Sequence, residues 1–445
     1  MSIPAISNAG AAETDTFLGR IRALYQTIFV NYWPYWAACL TAAILNIFLL
    51  AYWGGAWGLT AELTRWGGHM LQAVGVPVEN WLYFEDIGID GSPISRGSGW
   101  LLIGMFGGAL IAALLSGSFR IRMPQQRRRL LQGFVGGVLA GFGARLAMGC
   151  NLGSFFSAVP QFSLHGWVFM LGLFPGTYLG TKIALHPRVM GRPRARRRPS
   201  RPATTNKPLK VSQQAVGALL AVALIALTFY AGGTEAAFAV MLLFGIGFGF
   251  LIQRGRICFT SAFREMWITR QGDLGRALAF SMMISTIGFA VLIYNGIGGN
   301  LQFVHPGILI GGILFGIGIV LAGGCESGWI YRSMEGYVQL WMAGLGTIAG
   351  ATFLAWGWDG LGIYSTFVEG WPAISLVDVW GWPTAILATL GLLVAWYLLI
   401  TWWETRQPAR QGIPAVAPKV PQAQADAPTP VASSLGAQQT QTPTA

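Results

Sequence analysis

At about ten places this chain stays apolar for close to twenty residues: near 33–53, 99–118, 131–149, 165–184, 213–231, 236–253, 277–297, 306–323, 337–356 and 381–403. A hydrocarbon core ~30 Å thick takes about 20 helical residues to cross. Inside it every backbone N–H and C=O must be bonded within the chain, so only helices and closed barrels can span. The segments are too long and too uniformly apolar for strands that alternate between lipid and lumen. A hydrophobic fraction of 53%, 10% charged residues, 19 tryptophans and a mean hydropathy of +0.53 also exclude a soluble domain. The expected fold is an all-α polytopic membrane bundle of about ten spans, with most tryptophans in interfacial belts.

Two of these segments are copies. Residues 136–153 and 311–328 align without a gap at an offset of 175, with ten identities in eighteen positions, and two of the chain's four cysteines, Cys150 and Cys325, fall in register. Polar and helix-ending residues follow each: Asn151, Gly153 and Pro160 after Cys150, and Glu326, Ser327 and Gly328 after Cys325. A simple span would stay apolar there, so re-entrant or broken helices are expected. Counted from the N-terminus, the two copies cross in opposite directions, which makes an internal inverted repeat whose facing breaks lie near the midplane. Gly133, Gly137 and Gly141, and Gly312 and Gly316, recur every four residues and suit close helix packing.

The formal net charge of +12 and the run from Arg192 to Arg198 suit nucleic acid only in isolation. Arg20 and Arg22, Arg120 to Arg129, Arg188 to Lys210, Arg254 to Arg276, and Arg406 with Arg410 all fall on one side of the ten crossings. The other side carries Arg65 and Arg96 among Glu62, Glu79, Glu85, Asp86 and Asp90, and 357–380 has no Lys or Arg. This positive-inside pattern places both termini in the cytoplasm of a cell inner membrane, with lipid and no nucleic acid as surroundings. The chain divides into a cytoplasmic N-terminal arm (1–32), a first membrane half (33–185), a basic linker (186–210), a second membrane half (211–405) and a tail (406–445) that reads as disordered. Glu13 and Asp15 with no early apolar core speak against a cleavable leader.

Most cysteines in membrane helices are apolar filler, but the register, the glycines Gly149 and Gly324 before the thiols and the polar residues after them argue for function at Cys150 and Cys325. A thiol offers a polarizable contact to a soft sulfur or selenium anion, and its thiolate can exchange with one. Cys258 follows Arg254 and Arg256 at a helix end, where the arginines either tune the thiol or simply obey topology. Cys39 has no polar company and reads as filler. Arg145, five residues before Cys150, is an intramembrane charge and so a functional candidate, with a structural ion pair as the alternative. Glu326 either orients a ligand or caps the returning segment; the cap is the preferred reading. Arg332 and Glu335 are spaced as a helix-surface pair. His165 lies near the Cys150 loop. No CxxC pair or G-x-x-x-x-G-K-[ST] motif occurs, so no metal, cofactor or ATP hydrolysis is expected.

Gly143 to Gly153 with Ser163-Leu164-His165-Gly166-Trp167, Arg256 to Arg264, and Leu321 to Trp329 together resemble the YeeE/YedE family of sulfur-compound transporters, over roughly residues 33–405. The resemblance implies an hourglass-shaped helical bundle whose waist is lined by Cys150, Cys325 and Cys258. In the family's thiosulfate branch the segment like Arg256 to Phe259 comes early and the segment like Arg145 to Asn151 comes late. Here the order is exchanged and, with Thr64-Arg65-Trp66-Gly67-Gly68 upstream, is closer to the YedE branch associated with selenium metabolism. A small TusA-like sulfur-carrier protein is the implied cytoplasmic partner.

The expected activity is an inner-membrane permease, not an enzyme, importing a thiosulfate-like or selenium-containing anion past Cys150, Cys325, Cys258, Arg145, Asn151, Glu326, Gly149 and Gly324. Cys150 and Cys325 form the constriction and Cys258 the exit. The alternative is a membrane thiol enzyme that forms persulfide or disulfide intermediates.

Overall fold

The computed structural model describes residues 16–55, 57–190 and 207–406. Residues 1–15 of the expected arm, most of the expected linker and nearly all of the expected tail lie outside them. Each of the ten apolar segments is a long helix: α1 (Tyr35–Trp53), α4 (Gly97–Leu115), α5 (Arg128–Leu146), α6 (Leu164–Leu185), α7 (Lys207–Thr234), α8 (Ala236–Arg254), α10 (Asp273–Tyr294), α11 (Pro306–Ala322), α13 (Val338–Gly360) and α14 (Trp382–Thr405). Between them stand the shorter α2 (Thr60–Gln72), α3 (Leu82–Ile87), α9 (Phe259–Ile268) and α12 (Glu326–Met334), and a π-helical piece, π1 (Asn151–Ser157). Among the described residues nine helices are long and apolar enough to span, or ten when α5 and π1, bent by 49°, count as one. The chain is therefore an all-α multi-pass membrane protein.

The repeat extends well beyond the aligned eighteen residues. Helices α1, α2, α4, α5, π1 and α6 correspond in order to α8, α9, α10, α11, α12 and α13, and the packing obeys the exchange. α4 lies on α8 as α10 lies on α1, α5 on α13 as α11 on α6, α2 on α13 as α9 on α6, and α12 on α4 as π1 on α10. The two central helices, α5 and α11, cross each other. A Cβ added at Gly143 would meet Gly311 and Phe315, and one added at Gly136 would meet Gly318 and Ala322, so α5 and α11 run antiparallel. That is the inversion the crossing count requires.

Loops sort by side as the charges do. Trp33 N donates to Arg254 O (3.0 Å), Arg122 N to Gly336 O (2.7 Å) and Gly272 N to Glu404 Oε1 (2.5 Å), which gathers the arginine-bearing segments at one face. Arg276 pairs there with Asp273 (2.5 Å) and Glu404. At the opposite face Leu164 N donates to Ile374 O (3.1 Å) and Val304 N to Pro372 O (3.0 Å).

With lipid outside, helix association rests on close packing more than on a hydrophobic gain. Glycine supplies it. At Gly137 and Gly141 a Cβ would run into the carbonyls of Ala343 and Thr347, and at Gly108 and Gly249 into those of Ile246 and Met105. Overpacking a tight contact costs about 1–3 kcal/mol. Gly141→Leu is therefore expected to lower the melting temperature of the detergent-solubilised protein by several degrees. Gly391→Leu, at an α14 position with nothing within 4 Å of an added Cβ, should leave it unchanged. Equal melting temperatures for the two variants would contradict this packing account.

Candidate functional site

Three helices end on the same backbone device. Two residues before each cysteine the chain enters the left-handed region: Met148 (φ 58°), Arg256 (φ 51°) and Gly323 (φ 89°). The following amide reaches back five residues, Gly149 N to Ala144 O (2.7 Å), Ile257 N to Ile252 O (3.1 Å) and Gly324 N to Ile319 O (3.0 Å), the bond that closes a Schellman-type helix end. Each cysteine is then extended, and its carbonyl accepts the first bond of the next short helix, from Ser154 N (2.7 Å), Ala262 N (3.1 Å) and Trp329 N (2.7 Å). Cys150, Cys258 and Cys325 are thus the N-caps of π1, α9 and α12. Side chains at that position face the free amides of the first helical turn.

The elbows meet. Cys258 Sγ lies 3.9 Å from Cys325 Sγ, and Cys325 Sγ lies 3.3 Å from Ser327 Oγ. A Cβ at Gly328 would come within 2.5 Å of Cys258 Sγ and 3.7 Å of Cys325 Sγ, so that glycine lets the thiols approach. Glu326 reaches across to Cys150, whose sulfur also has the Leu152 and Gly153 amides beside it. All three thiols are buried. Around them Phe155 and Phe156 pack edge-on against Phe259 (6.2 and 5.9 Å), and Trp396 packs against Phe155 (5.3 Å). Within this apolar wall, both amide atoms of Asn151, both carboxyl oxygens of Glu326, and the hydroxyls of Ser154 and Thr260 have no hydrogen-bond partner among the described residues. Burying such groups without a partner is costly.

Several expectations change. Glu326 opens α12 with a buried carboxyl that makes no hydrogen bond among the described residues and lies near both its own amide and Cys150. Cys258, expected at the exit, lies against Cys325 of the expected constriction. Its flanking arginines turn away: Arg254 donates to Phe29 O (2.6 Å), Val30 O (3.0 Å) and Ser116 Oγ (3.0 Å), and Arg256 stacks on Tyr32 at 4.2 Å. The cation that acts on Cys258 is Arg332. It donates to Gly323 O (3.1 Å) and Tyr331 Oη (3.0 Å), while Glu335 accepts from Gln253 Nε2 (2.9 Å), so the two are not a surface pair. Gly149 and Gly324 sit directly before their cysteines, although the left-handed turn falls one residue earlier in both copies. Arg145 is buried (7% exposed) and forms no carboxylate pair among the described residues. Cys39 is buried in α1 without a polar contact. His165 is fully buried, its Nδ1 bonded to Ser163 Oγ at 2.6 Å.

A fourth elbow was not visible in the sequence. After α1 the chain turns through Gly54 (φ 72°) and caps α2 with Leu59. Asn46 holds this loop by accepting from Trp57 N (3.2 Å) and donating to Ser157 Oγ (2.9 Å) of π1. By the exchange of halves, Leu59 stands where Cys258 stands, opposite Cys150 as Cys258 is opposite Cys325. Beside Gly153 an added Cβ would meet only Gly58 Cα at 3.8 Å, so there is more room on the Cys150 side.

The family described as sulphur transport matches residues 8–179 and 254–434, two stretches that hold the paired halves without α7 and most of α8. The chain is similar to the probable transporter YedE of Salmonella typhimurium strain LT2, 39% identical over 389 residues, which are 87% of this chain and 96% of the relative. It is 40% identical over 378 residues to the probable transporter YedE of Escherichia coli K12, covering 85% and 94%. A shorter stretch of 131 residues is 39% identical to the thiosulfate transporter TsuA of Spirochaeta thermophila, 28% of this chain and 35% of that one. With nearly the full length of two curated relatives matched and the family found in both halves, the chain belongs to the sulphur transport (YeeE/YedE) family.

Proposed function

We propose that this chain is an inner-membrane permease that imports a sulfur- or selenium-containing anion of the thiosulfate type, with a central constriction formed by the three capped elbows. The observation that carries this reading is the convergence of Cys150, Cys258 and Cys325, each at a helix start, on one dry cluster with unpartnered polar groups. Helix N-termini attract anions, and half-membrane helices aim theirs at anionic substrates in transporters built from inverted repeats. Thiols add the soft contact that a terminal sulfur or selenium prefers to water and that a hard oxyanion does not need. The thiosulfate assignment draws on the relatives named for that ion, and the selenium assignment on the order of the motifs. In the proposed topology the arginine-rich face is cytoplasmic, and its field favours release of the anion and docking of an acidic, TusA-like carrier.

The thiol pair at 3.9 Å also suits a second reading, an enzyme that forms a persulfide or disulfide. Two measurements decide. Cys150→Ser and Cys325→Ser are each expected to cut uptake of [35S]thiosulfate or [75Se]-labelled selenium species into cells lacking the native gene by about tenfold or more, ~1.4 kcal/mol on the barrier. Cys39→Ser should match wild type; if all three variants do, the thiols play no part in permeation. Intact-mass spectrometry of protein quenched during flux should show four unmodified thiols. An added sulfur or selenium atom on Cys150, Cys258 or Cys325 would favour the enzyme.

A further inference from the structure

On the Glu62 side of the thiols lies a second cluster, rich in unpartnered donors. Arg145 is its charge. Its guanidinium donates to Thr60 Oγ1 at 3.2 Å and stands 5.1 Å over the Tyr83 ring, while its Nε has no partner. Tyr83, on α3, is 2% exposed and its hydroxyl is unpartnered; it packs edge-on at 5.3 Å against Trp358 of α13, also 2% exposed, whose Nε1 is unpartnered. Phe84, Leu146, Leu354 and Val368 close the rest.

Among the described residues no carboxylate pairs with this cation. Glu62, two residues from Thr60, is taken by Arg65 (3.3 Å), Arg96 (3.3 Å), Trp66 Nε1 (3.1 Å) and Ser98 Oγ (2.8 Å). Arg65 itself adds repulsion at Arg145. A buried, uncompensated guanidinium is expensive, and two further buried donors without acceptors add to the cost. Guanidinium, phenol and indole are all donors to an oxyanion, so a bound anion with several oxygen acceptors is the ligand class that could answer them.

We infer that Arg145, Tyr83 and Trp358 form a hard-anion station that receives the oxygen-bearing end of the substrate before its soft atom reaches Cys150. The inference rests on the permease reading for its place in a route and adds a chemical consequence. Sulfate carries the oxygens without the soft terminus. It therefore occupies this station and competes with thiosulfate, yet is not carried onward by the thiols.

The test uses the full chain in lipid nanodiscs, with equilibrium binding of [35S]sulfate, and uptake of thiosulfate by cells with and without excess sulfate. Wild type should bind sulfate, and sulfate should inhibit uptake competitively. Arg145→Gln should weaken binding about tenfold or more, the scale for losing one partner of a buried charge-assisted bond. Arg145→Lys should retain part of the binding and raise KM for thiosulfate more than it lowers the maximal rate. Wild-type sulfate affinity in Arg145→Gln protein that keeps its melting temperature overturns the inference, as does absence of sulfate binding by wild type. If Arg145→Gln does not fold, the Tyr83→Phe, Trp358→Phe double variant decides: weakened binding supports the station and unchanged binding overturns it. Arg145-dependent sulfate binding without uptake of any thiosulfate or selenium species sinks the permease reading alone. Thiol-dependent uptake with Arg145-independent binding sinks the station alone.

Discussion

The structure depends on how a helix can be stopped inside a membrane. Hydrocarbon offers no water to the carbonyls and amides that a break sets free. This chain meets the problem three times with one solution: a left-handed residue, a bond reaching back five residues, and a cysteine whose carbonyl starts the next helix. The device breaks and bends the helix with few free backbone groups. What it leaves open is the first-turn amides of a short helix, and the capping position beside them holds a thiol. Backbone economy and site chemistry therefore have one origin.

Such elbows face one another only if the helices that carry them come very close. The glycine seams between α5 and α13, α6 and α11, and α4 and α8 bring backbone against backbone, with carbonyls where a Cβ would be. Because α5 and α11 cross antiparallel at the centre, the two halves present their breaks to each other from opposite directions. Polar ties at the basic face, such as Arg254 to the carbonyls of Phe29 and Val30, fix helix ends without lining the thiol cluster.

The spans were legible because twenty apolar residues have few other uses, and the central repeat because glycine and cysteine fall in register. The other two elbows were hidden by their residues. At Cys258 the left-handed position is held by Arg256 in place of glycine, and at the fourth elbow Leu59 stands where a cysteine would have flagged it. Sequence neighbours also misled at Cys258, since an elbow swings Arg254 and Arg256 away and brings Arg332 in from α12. Glu326 occupies a position where carboxylates often favour a helix start, and nothing local shows that its carboxyl is buried near Cys150 as well. Tyr83 and Trp358, 62 and 213 residues from Arg145 along the chain, carry no motif at all; only the fold collects them.

The two halves are equal in backbone and unequal in chemistry, and the inequality has a direction. One pair of elbows brings two thiols to 3.9 Å; its counterpart sets Cys150 opposite Leu59 and a loop that leaves room beside Gly153. On the roomier side stands Arg145, a cation with no carboxylate pair among the described residues, whereas Val320 occupies the matching place in the other copy, 175 residues on. A symmetric site would hold an anion equally from either end. Here a single thiol lies near a buried arginine that has no carboxylate pair among the described residues, whereas on the other side two thiols in contact lie near Arg332, which is held by Gly323 O and Tyr331 Oη. On the proposed route, an ion with a hard oxygen end and a soft terminal atom would meet each in turn, which a simple oxyanion lacking the soft atom would not.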